Sequence, residues 1–314
     1  MALPKFAYFR GTIVPYSEAR VGVLTHALNY GTGVFAGVRA YWNPEEEQLY
    51  LFRALDHFRR FSDSARLLLM DLGLEPAALQ EITLALLRAE GLRQDCYVRP
   101  LAFKADEAVG VRLHDLRHEL SMVAIPFTRY IEADEGAHVT ISSWQRIDDN
   151  AIPARGKITG AYINSAFIKT DAMLQGFDEA LVLTREGHVS EGSAMNVFMV
   201  RDNTLITPPV TENILEGITR RTVITLAQQE LGLTVVERPV DRTEVYLCDE
   251  LLLTGTAAAL TAVTRVDHRP IGDGVMGPVT ARLRALYDDL VRGRLARYRS
   301  WNAPVYVSEP AAVD

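Results

Sequence analysis

The chain of 314 residues predicts an α+β fold of two domains with largely antiparallel sheets. Three observations lead there. Strand-like and helical segments occur in mixed order instead of strict β-α-β alternation, which argues against a doubly wound parallel sheet. Several strand pairs are joined by connections of hairpin length. The length suits two domains of ordinary size.

The elements follow in order. "FAYFRGTIVP" reads as two short strands around Arg10-Gly11. "GVFAGVRAYW" and "QLYLF" read as strands with a turn at "NPEEE" between them. "LDHFRRFSDSARLLLM" carries apolar residues near helical spacing, with Asp56 close to its start. "EPAALQEITLALLRAEG" is a second helix, with Pro76 in the first turn and Gly91 as its stop. "CYVRPLAF" and "LSMVAIPF" are strands. The polar stretch 128–135 then marks a linker, so the expected domains are 1–127, small, and 136–314, larger, with a barrel-like, mainly antiparallel core. Beyond it, "HVTISSW" is a strand and "GAYINSAFIKTDAMLQG" a helix closed by Gly176. "EALVLT", "HVSEG" and "NVFMVRDNTLITP" form a meander of short strands. "EGITRRTVITLAQQELG" is a helix ending at Gly232. "LTVVERPV" and "ELLLTG" are strands, and "GPVTARLRALYDDLVRG" is a late helix.

Composition narrows the function classes. The net charge is −7 and there is no basic tract, so the electrostatic footprint of a nucleic-acid binder is missing. Cys96 and Cys248 lie outside any CxxC spacing, which suggests a reducing compartment. The first twenty residues carry charges throughout and do not read as a secretory signal, and no apolar run reaches membrane-spanning length. A cytoplasmic enzyme without membrane partners is expected. The seven histidines show no metal-ligand spacing, and Asp148, Asp149 and Asn150 lack the further ligands of a calcium loop, so no metal is expected. His26 and His57 read as structural. No G-x-S-x-G elbow exists.

The segment "IPARGKITGAYINSA" raises the sharpest question. Gly156-Lys157 fits the end of a nucleotide-binding loop, but position 151 is alanine where the first glycine belongs, and Ile158 replaces the magnesium-binding hydroxyl. Lys157 is alternatively a solvated loop lysine, or an amine held among small residues for covalent chemistry. A Schiff base forms only from the neutral amine, which burial favours. The window alone favours the solvated lysine.

Pyridoxal phosphate chemistry makes further demands, and the chain has a candidate for each. "LEGITRRT" sets Gly217, Ile218 and Thr219 at a helix start, where backbone N–H groups suit a phosphate; taken alone, the window reads better as an ordinary N-terminus capped by Thr219. "TGTAAA" places Gly255 and Thr256 in a turn that could be a second anion nest or only a turn. Glu191, on a turn in "HVSEGSAMNVF", could face a pyridine nitrogen or water. Of Arg59 and Arg60, neighbours on a helix, at most one faces a site. Tyr97 and Arg99 share one face of a strand, which makes Arg99 a carboxylate clamp or a surface charge.

Taken together, "THALNYGTGVFAGVRAY", "DHFRRFSDSARLL", "CYVRPLAF", "SSWQRIDDNAIPARGKITGAYINSA", "GFDEALVLTREGHVSEGSAMNVF", "TPPVTENILEGITRRTV", "TGTAAALTAV" and "VDHRPIGDGVMGPVT" resemble the class IV (fold type IV) pyridoxal phosphate-dependent aminotransferases. Within them the chain is most similar to the branched-chain amino acid aminotransferases. The resemblance implies that Lys157 forms the internal aldimine and shuttles the proton, that Tyr162 hydrogen-bonds the cofactor's phenolic oxygen, and that Glu191 pairs with its ring nitrogen. It implies a phosphate site from Arg60, Ile218, Thr219 and Thr256, and an α-carboxylate site at Thr256 and Ala257. Tyr30, Phe35, Tyr97, Arg99, Phe127 and Tyr130 match the side-chain pocket. Arg39 and nearby loop residues would complete the site of a partner subunit, which implies a homodimer or larger homo-oligomer. The activity implied is ping-pong transfer from leucine, isoleucine or valine to 2-oxoglutarate. The same fold type hosts (R)-selective amine transaminases, D-amino acid transaminases and aminodeoxychorismate lyase. A phosphate-binding module without catalysis is the alternative from another class. Ala36, Met195 and Ala259 stand where the family commonly has carboxylates, which bears on the substrate pocket and leaves the cofactor set intact.

Overall fold

A computed structural model describes residues 3–127 and 135–306. The chain divides into two compact units, Met1–Thr128 with Asp289–Asp314, and Arg129–Asp288.

The first unit opens with β1 (Phe6–Phe9) and β2 (Thr12–Pro15), a hairpin whose turn residues Arg10 and Gly11 both take positive φ. That turn follows the right-handed strand twist. The short helix α1 (His26–Tyr30) leads to β3 (Gly33–Phe35) and β4 (Val38–Asn43). The stretch expected as one strand is thus two, interrupted at Ala36-Gly37. Asn43 turns the chain into β5 (Gln48–Phe52) by accepting from the N–H groups of Glu45 and Glu46 at 2.9 and 3.2 Å. Helices α2 (Ala54–Leu67) and α3 (Pro76–Glu90) bury His57, Phe58, Phe61 and Ala65 on one, and Leu79, Thr83, Leu86 and Leu87 on the other. These are the spacings of one helical face. Gly91, in left-handed conformation, donates to the carbonyls of Leu87 and Arg88 and stops α3. The long strands β6 (Cys96–Lys104) and β7 (His118–Pro126) complete the centre of the sheet.

The second unit begins at β8 (Ala137–Gln145), then α4 (Tyr162–Leu174) and β9 (Glu179–Leu183). Next come β10 (Val189–Gly192), β11 (Asn196–Arg201) and β12 (Thr204–Thr207), the last two joined through Asp202 and Asn203, both at positive φ. Helix α5 (Ile218–Gln229), β13 (Thr234–Glu237), β14 (Glu250–Gly255), β15 (Ala259–Val266), β16 (Arg269–Pro270) and α6 (Pro278–Val291) follow. The sheet order is β10-β9-β8-β15-β14-β11-β12-β13, with β16 on β15, and the sheet curls as a half-barrel. Most pairs are antiparallel, but β8–β9, β8–β15 and β12–β13 run parallel. Parallel neighbours need a crossover, and α4 and α5 supply it for the pairs β8–β9 and β12–β13. β9 is buried on both faces. Leu181 joins the apolar cluster of Val139, Val197, Leu251 and Val263, while Ala180 and Val182 join Ile168, Ala172 and Phe177.

Two features depart from the sequence reading. That reading puts the end of the chain in the second domain, yet β17 (Asn302–Pro304) pairs with β5 of the first unit, with Asn302 opposite Phe52. Side chains hold this return: Gln48 donates to the Tyr306 carbonyl at 2.7 Å and Arg88 to that of Val305 at 2.5 Å. The antiparallel rule is also cleaner in the first unit, where all pairs are antiparallel, than in the second. The expected linker falls almost wholly outside the described residues.

Candidate active site

The second unit brings together most of the candidate cofactor residues. β8 ends at Gln145, and Arg146 turns back to donate to the Asn213 carbonyl at 3.0 Å. The following loop is pinned at two points: Asp149 donates its N–H to the Asn213 side chain at 3.3 Å, and its carboxylate accepts from Ala154 N at 2.7 Å. This loop delivers Lys157 just ahead of the turn Thr159–Ala161 and α4. Tyr162 is the first residue of α4, and Lys157 Nζ donates to its hydroxyl at 2.5 Å. The ammonium also lies 4.9 Å from the Tyr162 ring centre. Both side chains are half-buried, so the solvated-loop reading of Lys157 does not hold.

Glu191 lies within β10 and not on the expected turn, and it is 3% exposed. A buried carboxylate requires donors. Arg146 meets Oε1 at 2.8 Å, while Oε2 accepts from the Asn196 side-chain amide at 2.9 Å and from Leu215 N at 3.2 Å. The same Asn196 amide donates to the Leu215 carbonyl at 2.9 Å and so ties β11 to the segment entering α5. Gly217 is the cap of α5, and a Cβ built there would lie inside 3.0 Å of Asn196 Oδ1. Glycine is needed here for close approach. Ile218 and Thr219 form the first turn of α5, buried, and Thr219 is no side-chain cap. First-turn N–H groups have no acceptor within their own helix and carry the positive end of its dipole. Thr256 and Ala257 form the tight turn between β14 and β15, where Gly255 faces Ala259. Met195 packs against Gly255, 3.2 Å from its would-be Cβ.

In the first unit Arg59 is exposed and paired with Asp56 at 3.3 Å, while Arg60 is half-buried on α2. Tyr97 and Arg99 do share a face of β6, and Arg99 Nη2 donates to Tyr97 Oη at 3.1 Å. The Arg99 guanidinium also lies over the rings of Phe35 and Tyr97, at 4.7 and 5.2 Å. Phe127 tilts against Tyr97 at 5.4 Å. Tyr30 accepts from Gly110 N at 3.0 Å and packs on His26, which is wholly buried and bonded to Thr32 at 2.7 Å. Arg39 is 4% exposed, 3.5 Å from Asp95, and stacked on Tyr41 and Phe127. Tyr130 lies outside the described residues. Among the described residues, no group of three or more metal-ligating side chains could hold an ion, and no helix is long and apolar enough to cross a membrane.

Arg146 and Asn196 were not singled out from the sequence. Both stand inside motif segments, but nothing local links them to Glu191. The sequence offers only their polar character beside strand ends.

A half-buried lysine paired with a tyrosine, a buried carboxylate and N–H groups at a helix start and a tight turn are the kinds of group that pyridoxal phosphate chemistry asks for. The chain belongs to the class IV aminotransferases: residues 33–266 match the family described as "Amino-transferase class IV". Among its relatives is a "Probable branched-chain-amino-acid aminotransferase" of Aquifex aeolicus, 46% identical over 96% of this chain and 97% of that one. The branched-chain aminotransferase of Thermoproteus uzoniensis, solved with norvaline, superposes with a TM-score of 0.92 at 38% identity, covering 96% of this chain and all of that one. A T.th. branched-chain amino acid aminotransferase, complexed with N-(5'-phosphopyridoxyl)-L-glutamate, has a TM-score of 0.92 at 39% identity, covering 98% and 100%.

Proposed function

We propose that this chain transfers the amino group of branched-chain L-amino acids to 2-oxoglutarate in two half-reactions, with pyridoxal 5'-phosphate as its cofactor. The observation that carries the reading is the Lys157–Tyr162 pair in the same unit as the Arg146-held Glu191. Nearly full-length relatives bearing that activity in their names support it.

Bound, the cofactor supplies an electron sink for charge developing at the substrate α-carbon. The residues supply the rest. Lys157 would hold the cofactor through its amine and would move the proton at the α-carbon, with Tyr162 orienting that amine. Glu191, paired with Arg146, holds a proton on the ring nitrogen. The N–H groups of Ile218 and Thr219, with Thr256 and Arg60, hold the phosphate. The turn at Thr256 and Ala257 binds the α-carboxylate. Tyr30, Phe35, Tyr97 and Phe127 surround an aliphatic side chain, joined by Tyr130. Arg99 receives the second carboxylate of glutamate and 2-oxoglutarate. The relative solved with norvaline and the one solved with a glutamate adduct support a pocket of this double character. The assembly proposed is a homodimer or larger homo-oligomer; Arg39, expected to serve a partner's site, instead lies buried in β4 against Asp95, Tyr41 and Phe127.

A half-reaction screen tests the reading. Amino donors are added to the pyridoxal form and its visible absorbance is followed. L-Leucine, L-isoleucine, L-valine and L-glutamate should discharge it. Faster discharge by D-alanine or (R)-1-phenylethylamine would move the assignment to a D-amino acid or (R)-amine transaminase. Pyruvate release without an amino acceptor would indicate a lyase.

A further inference from the structure

Glu212, in the turn ahead of α5, is 9% exposed. A buried carboxylate needs a partner. Among the described residues its carboxylate faces one, the imidazole of His188, whose Nδ1 lies 3.3 Å from Oε2. The other ring nitrogen, Nε2, lies 4.0 Å from the exposed Asp241. His188 stands just ahead of β10, the strand that carries Glu191. From the same strand Ser190 Oγ donates to the Glu212 carbonyl at 2.6 Å. This stretch therefore holds Glu212 twice, at its side chain and at its backbone. Asn213 follows in left-handed conformation, at φ 57°. Asparagine tolerates that conformation, and here its neighbours fix it. Its carbonyl accepts from Arg146 Nε at 3.0 Å, while Arg146 Nη2 meets Glu191 Oε1 at 2.8 Å. Its side-chain oxygen accepts from Asp149 N, in the loop that leads to Lys157. Two residues on, Leu215 N donates to Glu191 Oε2 at 3.2 Å. Residues 212–215 thus aim one donor at each oxygen of Glu191.

We propose that His188 is a positioning residue for the ring-nitrogen site of the cofactor: by holding Glu212 it fixes residues 212–215, and through them the donors that hold Glu191. The inference rests on the pyridoxal phosphate reading above. Among the described residues the imidazole pairs with Glu212 and Asp241 and with no group of the site itself, so its influence runs through that segment. Without it the Glu212 carboxylate is stranded and turns toward water, because a buried ion without a partner is costly. The backbone that follows moves with it, and the Arg146 guanidinium loses the carbonyl that orients it. A neutral side chain at position 212 has no such pull.

The test uses the full chain and four variants, H188L, H188N, E212Q and H188L/E212Q. Each apoprotein is titrated with pyridoxal 5'-phosphate by fluorescence, and the visible band of each loaded protein is recorded. A partly exposed pair sets the scale, so H188L should weaken cofactor binding about 5-fold, equivalent to about 1 kcal/mol, and displace the band. Asparagine presents an amide N–H near the place of imidazole Nδ1, so H188N should bind within about 2-fold of wild type with its band unmoved. In the E212Q background no charge is stranded, and adding H188L should change the affinity by less than about 2-fold. A lower Tm in H188L with affinity and band unchanged would make His188 merely structural and overturn the inference. Equal losses in H188L and H188N, or in both backgrounds, would overturn it too. If H188L does not fold, E212A carries the test: a loss of about 3-fold or more supports the inference, and a smaller one overturns it. A wild type that binds no pyridoxal 5'-phosphate overturns the cofactor reading as well; one that binds it, while every variant binds equally, overturns this inference alone.

Discussion

Replacing Arg146 with methionine removes the cation from a buried carboxylate. Glu191 is 3% exposed, and Arg146 meets its Oε1 at 2.8 Å. Breaking a buried ion pair from one side costs about 3–5 kcal/mol. Two features reduce that here. Asn196 and Leu215 N continue to donate to Oε2, and the Arg146 side chain is itself 14% exposed, so water reaches its side of the pair. A loss of about 2–3 kcal/mol follows, which lowers Tm by roughly 5–10 °C for a unit of this size. Differential scanning calorimetry of the apoprotein at neutral pH measures it. The second arm is the same substitution in an E191Q background, where no charge is stranded. There R146M should cost less than about 1 kcal/mol, leaving a coupling of about 2 kcal/mol. A Tm within about 1 °C of wild type, or an equal penalty in both backgrounds, would refute the electrostatic account of this pair.

Three other outcomes are expected. K157A should lose at least about 1000-fold in transamination and show no bound visible chromophore, with its far-UV circular dichroism intact; a coloured, active variant would sink the covalent role. G217A should displace Asn196, whose Oδ1 already fills the space of a Cβ, and weaken pyridoxal phosphate binding about 10-fold in a fluorescence titration; an unchanged affinity would count against the helix-start site. Glu244 is held below the ordinary glutamate value first by Arg238, which meets both its oxygens at 2.6 and 2.9 Å, and then by Arg201, while partial burial opposes them. A carboxylate lowered on folding stabilises above its unfolded value and loses that stabilisation as pH falls through the folded one. E244Q should therefore lower Tm at neutral pH and flatten its fall below about pH 4.5, and a wild-type acid limb in E244Q would remove Glu244 from the account.

Local elements with punctuation were legible in the sequence. Arg10-Gly11 was read between two strands and does turn a hairpin at positive φ, and Pro76 and Gly91 bracket α3. β15 was hidden because "AALTAV" combines small residues that suit helix or strand, and only pairing with β14 and β8 decides between them. The parallel pairs were hidden because a crossover fixes direction only once the sheet order is known. Lys157 was undecided within its own window. The distant Glu191 and Thr219 and the nearby Tyr162 gave it meaning, and the structure places Tyr162 against it. Arg146 and Asn196 converge on Glu191 from 45 and 5 residues away, a relation that no periodicity encodes.

The return of the chain to β5 sets an order of events during synthesis. The second unit is one continuous stretch and can complete its sheet while the ribosome is still adding residues. The first cannot, because its outermost strand, Asn302–Pro304, is made some 250 residues after its neighbour. Until then β5, apolar and buried on both faces in the finished fold, is an open edge able to template pairing with another chain. The strand that finally covers it ends in an exposed proline, which lacks an N–H to offer a further strand. This late strand thus both completes the sheet and terminates its growth.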